Sequence, residues 1–373
     1  MQNSDKEFLL SFGWDDFFEK QIPNDTSSGV SGLVPARVIG EERQLYRIQF
    51  QKDNVVLAMV TGKFQFATTS RLQYPTVGDW VLVDLKSDSE RALINQVLER
   101  KTLMHRKQIG LGSDGQSLAS NVDYIFITSS VNDDLNFRRI ERYLAIAYES
   151  KATPVVLLSK SDIQPETIAI VVKGIKDNFP NVDVHAISQN NFDQTEFFKH
   201  YLQPGKTAVV IGSSGVGKST LINYLIGATN ASDRIKTQDI RDDDGKGRHT
   251  TTSRNLYVSR YGGLIIDTPG MRELQLSDHG EGLSQQFEDI ESIFQQCRFS
   301  DCKHQKEPGC AVLAAFETGA ITAERWQSYL KLQAEVRHSV QRQDKQVAAV
   351  EKKRWKKLTT EAKQRGRVKR GDY

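Results

Sequence analysis

Cysteines, long apolar runs and secretion signals are scarce or absent in this chain of 373 residues. No run of about 18 apolar residues occurs, so the sequence predicts no membrane-spanning helix. Only three cysteines are present, and an odd, clustered set argues against a disulfide framework. The first residues, with Asp5, Lys6 and Glu7, lack the basic start and the small-residue cleavage site of a signal peptide. We therefore expect a cytoplasmic protein without contact to a membrane.

The charge of the chain is concentrated at its C-terminal end. The formal net charge is +3, yet residues 351–373 hold ten Lys and Arg against three acids, a net +7 that leaves −4 for the rest. A mildly acidic body with a basic tail indicates a polyanionic partner. Trp355 lies among the cations of the tail, where it can stack on an unpaired base. This combination favours RNA contact over a simple solvated face.

The first part of the chain has a β-like pattern. Between residues 32 and 108, short apolar runs separated by turn signals predict a small β-barrel of the oligonucleotide-binding (OB) type. The predicted strands are Val34–Ile39, Tyr46–Phe50, Val55–Val60, Trp80–Leu85 and Ala92–Leu98.

The second part alternates strands with helical segments, which predicts a mostly parallel sheet covered by helices. Its predicted strands are Tyr124–Thr128, Val155–Leu158, Val182–Ile187, Ala208–Ile211 and Leu264–Asp267. After about Leu276 the chain becomes helical and charged, with a predicted helix over Ile321–Val336. We divide the chain into an N-terminal extension (1–31), a barrel (32–108), an α/β domain (120–276), a helical domain (277–345) and a basic tail (346–373).

A phosphate-binding loop is the strongest motif. Residues 212–219 match G-x-x-x-x-G-K-[ST], after the predicted strand Thr207–Ile211 and before the helical run Thr220–Ile226. The glycines let successive N–H groups face phosphate oxygens, and the helix N-terminus adds a positive dipole end. Lys218 is predicted to reach the β- and γ-phosphates, and Ser219 to bind Mg²⁺. A structural Gly-rich turn is the alternative that this context disfavours. The predicted nucleotide-binding residues here are Gly212, Ser213, Ser214, Gly215, Val216, Gly217, Lys218, Ser219 and Thr220.

The sequence Asp-Thr-Pro-Gly over residues 267–270 closes another apolar strand. A carboxylate at a strand's C-terminal end, as at Asp267, suits an indirect role at Mg²⁺. Gly270 offers a backbone N–H that can sense the γ-phosphate. Alone this tetrapeptide would be as compatible with an ordinary turn, but beside a phosphate loop it indicates a nucleoside-triphosphatase.

The sequence Ser-Lys-Ser-Asp over residues 159–162 follows the predicted strand Val155–Leu158 and favours guanine over adenine. The Asp162 carboxylate can accept hydrogen bonds from guanine N1–H and the 2-amino group, which adenine does not offer. Lys160 can lay its stem over the base. A surface turn is the alternative for this short motif. The predicted base-binding residues are Ser159, Lys160, Ser161 and Asp162, with Ala186, Ile187 and Ser188 at the next strand end.

All three cysteines and one histidine lie within residues 297–310, as Cys297, Cys302, His304 and Cys310. Three thiolates and one imidazole complete a tetrahedral Zn²⁺ site with no open position, which predicts one structural zinc ion. The spacing differs from the C-x₂-C of common zinc ribbons, so three unrelated buried cysteines are the alternative.

These motifs together resemble the RsgA (YjeQ/YloQ) family of circularly permuted GTPases over about residues 30–345. In Ras-like GTPases the phosphate loop precedes the base motif, whereas here the base motif comes first. The resemblance rests further on Pro75–Trp80 in the barrel, on Gly247–Thr252 and on the Cys/His cluster. One departure is Ser159, where the family pattern has Asn. That change is expected to weaken guanine affinity, although Asp162 is retained.

The resemblance implies GTP hydrolysis to GDP and phosphate, with residues 239–252 as the first switch and Thr251 as a second Mg²⁺ ligand. It also implies late maturation of the small (30S) ribosomal subunit, contact with 16S rRNA, stimulation by the ribosome and a monomeric chain. Met271 occupies the position where many GTPases have a water-orienting Gln, so His249 is our candidate for that role. The alternative for His249 is a loop histidine that pairs with Asp242–Asp244 or with the partner.

Two other functional classes remain open at this point. The chain can be a nucleotide-gated RNA-binding module whose turnover is incidental, or an RNA-modifying enzyme that uses GTP as a switch. No further catalytic constellation in the sequence supports the second.

Overall fold

The computed structural model describes residues 3–22, 32–42, 45–85, 91–106, 115–132, 135–188, 195–228, 254–268 and 281–337. Within these ranges no helix has both the length and the apolar character needed to cross a bilayer. The helices are α1 Asn3–Ser11, α2 Asp16–Glu19, α3 Gly62–Ala67, α4 Phe137–Glu149, α5 Pro165–Asn178, α6 Phe198–Tyr201, α7 Lys218–Leu225, α8 Glu281–Gln286, α9 Glu288–Phe294, α10 Ala311–Glu317 and α11 over residues 323–337. The strands are β1 Val34–Glu42, β2 Leu45–Gln51, β3 Asn54–Val60, β4 Trp80–Asp84, β5 Ala92–Val97, β6 Leu103–Arg106, β7 Gln116–Ser120, β8 Tyr124–Ser130, β9 Thr153–Ser159, β10 Asp183–Ala186, β11 Thr207–Gly212, β12 Arg254–Val258 and β13 Leu264–Asp267.

Strands β1 to β5 form a closed barrel. They pair in the order β1-β2-β3-β5-β4, and β4 pairs back to β1. The pairing of β3 with β5 is parallel and the other four are antiparallel. Alternate residues such as Val38, Ile48, Val81 and Ile94 are fully buried inside the barrel. The predicted OB-like barrel is thereby confirmed, with each predicted strand within three residues of its observed bounds.

The α/β domain contains a six-stranded sheet in the order β10-β9-β8-β11-β13-β12. Strands β10, β9, β8, β11 and β13 are parallel, and β12 runs antiparallel to β13. The central residues of β8, β9, β11 and β13 are apolar and buried, as expected for strands covered on both faces. The predicted mostly parallel sheet is confirmed, and β12 is an additional strand at its edge.

The barrel and the α/β domain share one continuous sheet, because β1 also pairs antiparallel with β12. Gly40 lies opposite Asn255, and Glu41 lies opposite Arg254. The Arg254 guanidinium donates to the Glu41 carboxylate at 3.0 Å and to the Ser117 carbonyl at 2.9 Å. This junction is therefore made of backbone ladder bonds and a largely buried ion pair.

The N-terminal residues form a helical pair packed against the barrel. Leu9, Phe12, Trp14 and Phe18 are buried, and the rings of Trp14 and Trp80 meet edge to face at 4.8 Å. The segment that the sequence identifies only as an extension thus adds four large side chains to the core. The polar residues 24–29 that follow lie outside the described ranges.

Arg37 lies on β1 at the point where these parts meet. Its guanidinium donates to the carbonyls of Phe12 (2.6 Å) and Asn121 (3.2 Å) and to the Thr207 hydroxyl (3.3 Å). It also lies 5.3 Å from the ring centre of Trp80. Burial lowers the pKa of Arg37 to about 10, and it stays cationic at neutral pH. One side chain therefore links the N-terminal helices, the barrel and the α/β domain.

The C-terminal helices pack against helix α4 of the α/β domain. Helix α8 lies so close to α4 that a Cβ added to Gly282 would stand 2.1 Å from the Ala145 carbonyl oxygen. Only glycine permits this approach. Apolar residues of α10 and α11, including Val312 and Leu332, belong to the same core as those of α4.

Arg325 of α11 stabilises this packing. Its guanidinium donates to the Gln286 carbonyl at 2.8 Å and to the Asp289 carboxylate at 3.0 Å. It lies over the rings of Phe287 (4.1 Å) and Phe179 (5.2 Å), the latter at the end of α5. The C-terminal module is thus tied to the α/β domain by packing and by a buried cation.

Candidate functional site

The predicted nucleotide motifs meet at one edge of the α/β sheet. Parallel strands end at the same edge, and β9, β10, β11 and β13 each end at a predicted motif. The structure therefore brings together loops that lie more than 100 residues apart in the sequence, from Ser159 to Asp267. These loops hold Ser159, Lys160, Ser161 and Asp162 after β9, Ala186, Ile187 and Ser188 at the end of β10, residues 212–217 after β11, and Asp267 with Thr268 at β13.

The phosphate loop has the backbone shape that its glycines permit. Gly212 has a φ of +152°, and a Cβ there would lie 2.3 Å from the Thr128 carbonyl oxygen. Gly217 (φ +94°) is the N-cap of α7, so the loop leads directly into a helix start. Ser219 and Thr220 lie in the first turn of that helix. Such a concave run of N–H groups at a helix N-terminus is suited to bind phosphate.

Lys218 spans the mouth of this loop. Its Nζ donates to the carbonyls of Gly212 at 3.0 Å and Ser213 at 2.6 Å. Burial raises the pKa of Asp267, and the positive charge of Lys218 opposes that rise. An ammonium and a partly buried carboxylate thus share one site, as phosphate and divalent-cation binding requires.

The base loop is organised by contacts with the end of β10. Ser188 Oγ donates to Asp162 Oδ1 at 2.7 Å, and Ser161 N–H donates to the Ile187 carbonyl at 3.2 Å. Lys160 has a left-handed φ of +58°, which turns the chain sharply between β9 and Asp162. Asp162 itself is exposed, so its carboxylate can accept hydrogen bonds from a ligand. The arrangement can recognise a flat base that offers adjacent N–H donors.

Ser159 has a role that the motif alone does not indicate. It is 1% exposed, and its Oγ donates to the Val216 carbonyl of the phosphate loop at 2.7 Å. A second, longer contact of 3.4 Å reaches the Ser129 carbonyl. The side chain therefore points into the protein and ties the base loop to the phosphate loop. Its position directly before Lys160, at the end of a buried strand, is the only sequence signal for this role.

We expect Ser159→Ala to weaken GDP binding about 5- to 30-fold, because the buried Val216 carbonyl would lose its donor at a cost of about 1–2 kcal/mol. Calorimetric titration of GDP in the presence of Mg²⁺ measures the effect. Ser292→Ala is the matched control, since Ser292 is an exposed serine of α9 and belongs to none of the nucleotide loops. Equal affinities in the two variants would contradict the role of Ser159.

The Cys/His cluster forms a compact group in the C-terminal module. The ligand atoms of Cys297, Cys302, His304 and Cys310 all lie within 4.8 Å of one another, and they can hold a metal ion. His304 Nδ1 lies 3.6 Å from the sulfurs of both Cys297 and Cys310. The four predicted ligands are thus brought together by the fold.

The loop between the ligands is held by local contacts. The Glu307 carboxylate accepts backbone N–H bonds from Gln305 (2.8 Å), Lys306 (3.0 Å) and Lys303 (3.1 Å). The His304 ring stacks on Phe294 with centroids 4.3 Å apart and meets Trp326 edge to face at 6.0 Å. The loop therefore connects α9 and α11 through an imidazole.

Three predicted site residues lie outside the described ranges. They are His249 and Thr251 of the predicted first switch, and Gly270.

Comparison with known proteins gives a consistent result. Residues 97–277 match the model of the family described as RsgA GTPase, and residues 207–363 match that described as 50S ribosome-binding GTPase. The small ribosomal subunit biogenesis GTPase RsgA 1 of Oceanobacillus iheyensis is 41% identical over 329 residues, which cover 88% of this chain and 92% of the relative.

Two solved structures share the fold. YjeQ from Thermotoga maritima has a TM-score of 0.61 and 25% identity, covering 82% of this chain and 98% of that chain. YloQ, described as a circularly permuted GTPase, has a TM-score of 0.59 and 22% identity, covering 84% and 98%. The second likeness concerns the fold alone.

Proposed function

The chain belongs to the RsgA family of GTP-hydrolysing enzymes, and from that premise we propose that it assists late maturation of the small ribosomal subunit. In this proposal it binds the 30S subunit and its 16S rRNA as a monomer in the cytoplasm, and the ribosome stimulates hydrolysis. The names of its relatives support the 30S assignment. The +7 charge of residues 351–373 supports an RNA partner.

One observation carries the nucleotide assignment: the base loop and the phosphate loop are joined by the 2.7 Å hydrogen bond from Ser159 to the Val216 carbonyl. Two separate motifs are thereby held at a fixed distance, as a ligand with a base at one end and phosphates at the other requires. Asp162 at the base end favours guanine. Residues 212–220 would cradle the phosphates.

Ser219 and Thr251 would hold Mg²⁺ directly, and Asp267 would act on it through water. When bound, the ion neutralises charge on the β- and γ-phosphates. Lys218 would move from its loop carbonyls to the phosphate oxygens. Gly270 N–H would contact the γ-phosphate. Loss of the γ-phosphate on hydrolysis would therefore change the hydrogen bonding of this loop.

We assign one zinc ion to the Cys/His cluster. Tetrahedral Zn²⁺ has Zn–S bonds of about 2.3 Å and Zn–N bonds of about 2.0–2.1 Å, which imply an S···N edge of about 3.6 Å. The two distances from His304 Nδ1 to sulfur are 3.6 Å each. Cys297, Cys302, His304 and Cys310 fill all four positions, so the ion would be structural.

Positioning of the attacking water is assigned to His249. The residue after Gly270 is Met271, whose thioether cannot orient water as an amide does. Hydrolysis by the free chain is therefore slow in this proposal. The ribosome would order His249 beside the γ-phosphate, and the nucleotide would leave as GDP.

We expect purified 30S subunits to raise kcat for GTP by about 10²-fold or more, because water positioning of this kind contributes ~10²–10⁴-fold. Release of phosphate from GTP, with and without 30S subunits, measures the effect. His249→Ala is expected to abolish most of the stimulation without changing GDP affinity. His200→Ala, an exposed histidine of α6, is the matched control.

Stimulation by free RNA equal to that by 30S subunits would favour a nucleotide-gated RNA-binding module instead. Full stimulation of His249→Ala would remove His249 from the mechanism but leave the ribosomal assignment intact. Absence of stimulation in the unaltered protein would contradict the assignment itself.

A further inference from the structure

A cavity of about 320 Å³ lies between α4 and α11, apart from the nucleotide loops and the metal cluster. Four basic side chains line it, against two carboxylates. The lining comprises Asn136, Arg138, Arg139, Glu141, Arg142, Ser328, Lys331, Leu332 and Glu335. The surplus of two positive charges at a concave surface distinguishes this site from a solvated helix face.

The floor of the cavity is preformed. Glu141 is 7% exposed and bonds to Ser328, which connects α4 to α11. Leu332 is buried beneath the same contact. Burial raises the pKa of Glu141, while its bond to Ser328 and the charges of Arg325, Arg138 and Lys331 oppose that rise. The bond between Glu141 and Ser328 thus fixes the spacing of the two helices that carry the cations.

The placement of the arginines breaks a local rule of helix stability. Arg138 and Arg139 lie in the first turn of α4, which contains no acid, and Arg142 follows one turn later. The N-terminus of a helix carries partial positive charge, so basic residues there cost free energy. An anion bound in the cavity would be attracted by the partial positive charge of the helix N-terminus and would reduce the repulsion among the cations. Rules broken in this way are expected at functional sites.

Two of the cations remain available to a ligand. Arg142 pairs with Glu335 at 3.6 Å, and Arg139 has other interactions. Among the described residues, Arg138 and Lys331 form no ion pair, and both are exposed. They approach the cavity from different helices. Two separated cations suit successive phosphate groups better than a single small anion.

We propose that the cavity between α4 and α11 binds consecutive phosphates of an RNA backbone. The proposal rests on the proposed function, because it assigns part of the RNA contact to a described surface. Helix α4 begins after β8, at the sheet edge that holds the nucleotide loops. Arginine is suited to this contact because its planar group binds phosphate oxygens in pairs.

The test uses the full metal-replete chain, 30S subunits and the double variant Arg138→Gln/Lys331→Gln. The affinity of the chain for 30S subunits is measured in the presence of a GTP analogue at several salt concentrations. The slope of log affinity against log salt is expected to become shallower by about 2, because each of the two cations would neutralise one phosphate. The intrinsic GTPase rate should remain that of the unaltered chain. Lys173→Gln/Lys176→Gln, exposed cations of α5, is the matched control and should keep the original slope.

An unchanged slope and affinity in the double variant would overturn the proposal. Weaker binding with an unchanged slope would assign the cavity to a ribosomal protein and overturn the RNA assignment. Inorganic pyrophosphate, titrated with the nucleotide site saturated by GDP, separates a free polyphosphate from RNA. Pyrophosphate binding that requires Arg138 and Lys331, with unaltered 30S affinity in the double variant, would also overturn it. Failure of the unaltered chain to bind 30S subunits would instead contradict the proposed function.

Discussion

Asp162→Asn is expected to lower GDP affinity by about 10²–10⁴-fold, since two hydrogen bonds to a charged acceptor contribute ~1.5–3 kcal/mol each. The same change should raise affinity for xanthosine diphosphate. Xanthine has a carbonyl where guanine has its 2-amino group, and an amide can donate to that carbonyl. Specificity therefore moves from one base to the other instead of disappearing.

The neighbourhood of Asp162 makes this substitution selective. Its carboxylate accepts a bond from Ser188 Oγ at 2.7 Å, and an Asn Oδ1 can accept the same bond. The residue is exposed, so the change leaves no buried group without a partner. We therefore expect the folded structure and the phosphate loop to be retained.

Calorimetric titrations with GDP, xanthosine diphosphate and ADP measure the shift. Asp177→Asn, an exposed carboxylate on α5, serves as the control. A variant that still prefers GDP to xanthosine diphosphate would place base recognition elsewhere.

Cys310→Ser is expected to remove the metal and destabilise the C-terminal module, because structural zinc contributes about 10–16 kcal/mol to small zinc domains. Cys310 is the buried ligand of the four and the N-cap of α10. Without the ion, His304 loses the bonds that fix it between Phe294 and Trp326. The packing of α9 against α11 should then loosen.

Metal content and amide hydrogen exchange over residues 288–337 measure the outcome. Bound zinc should fall from about one equivalent per chain to a small fraction. GDP affinity should change by less than about threefold, since distant sites contribute almost independently. Lys303→Ala, an exposed position within the same loop, is the control. Full metal content or unchanged exchange in Cys310→Ser would contradict a structural role.

The sequence predicted those features that depend on local pattern. The five barrel strands are short apolar runs separated by turn signals, and the phosphate loop needs glycines at fixed spacing. The metal cluster follows from four residues within 14 positions. In each case the physical requirement acts on neighbouring residues, so one sequence contains enough information.

Features that depend on distant packing were not predictable. Helix α1 has weak amphipathic character, and isolated helices this short are unstable in water. It is stabilised by Phe12 and Leu9 in a core shared with Trp80. Similarly, no turn motif around Gly282 explains why glycine is required there. The requirement comes from the close approach of the Ala145 carbonyl, on a helix more than 130 residues earlier.

Ser159 lies between these two cases. The motif predicts that Ser159 contacts the ligand, whereas in the structure its hydroxyl donates to the Val216 carbonyl. The expected weakening of guanine affinity relative to Asn stays a prediction. The roles of His249, Thr251 and Gly270 stay predictions as well.

The pairing of β1 with β12 has a consequence for how this enzyme meets a large partner. The barrel is joined to the α/β domain by backbone ladder bonds and by the side chains of Arg254 and Arg37, so it cannot rotate freely relative to that domain. The distance from the base loop after β9 to the barrel surface is set when the chain folds. A partner could therefore contact the base loop and the barrel at the same time only if its own two contact points lie at the matching distance.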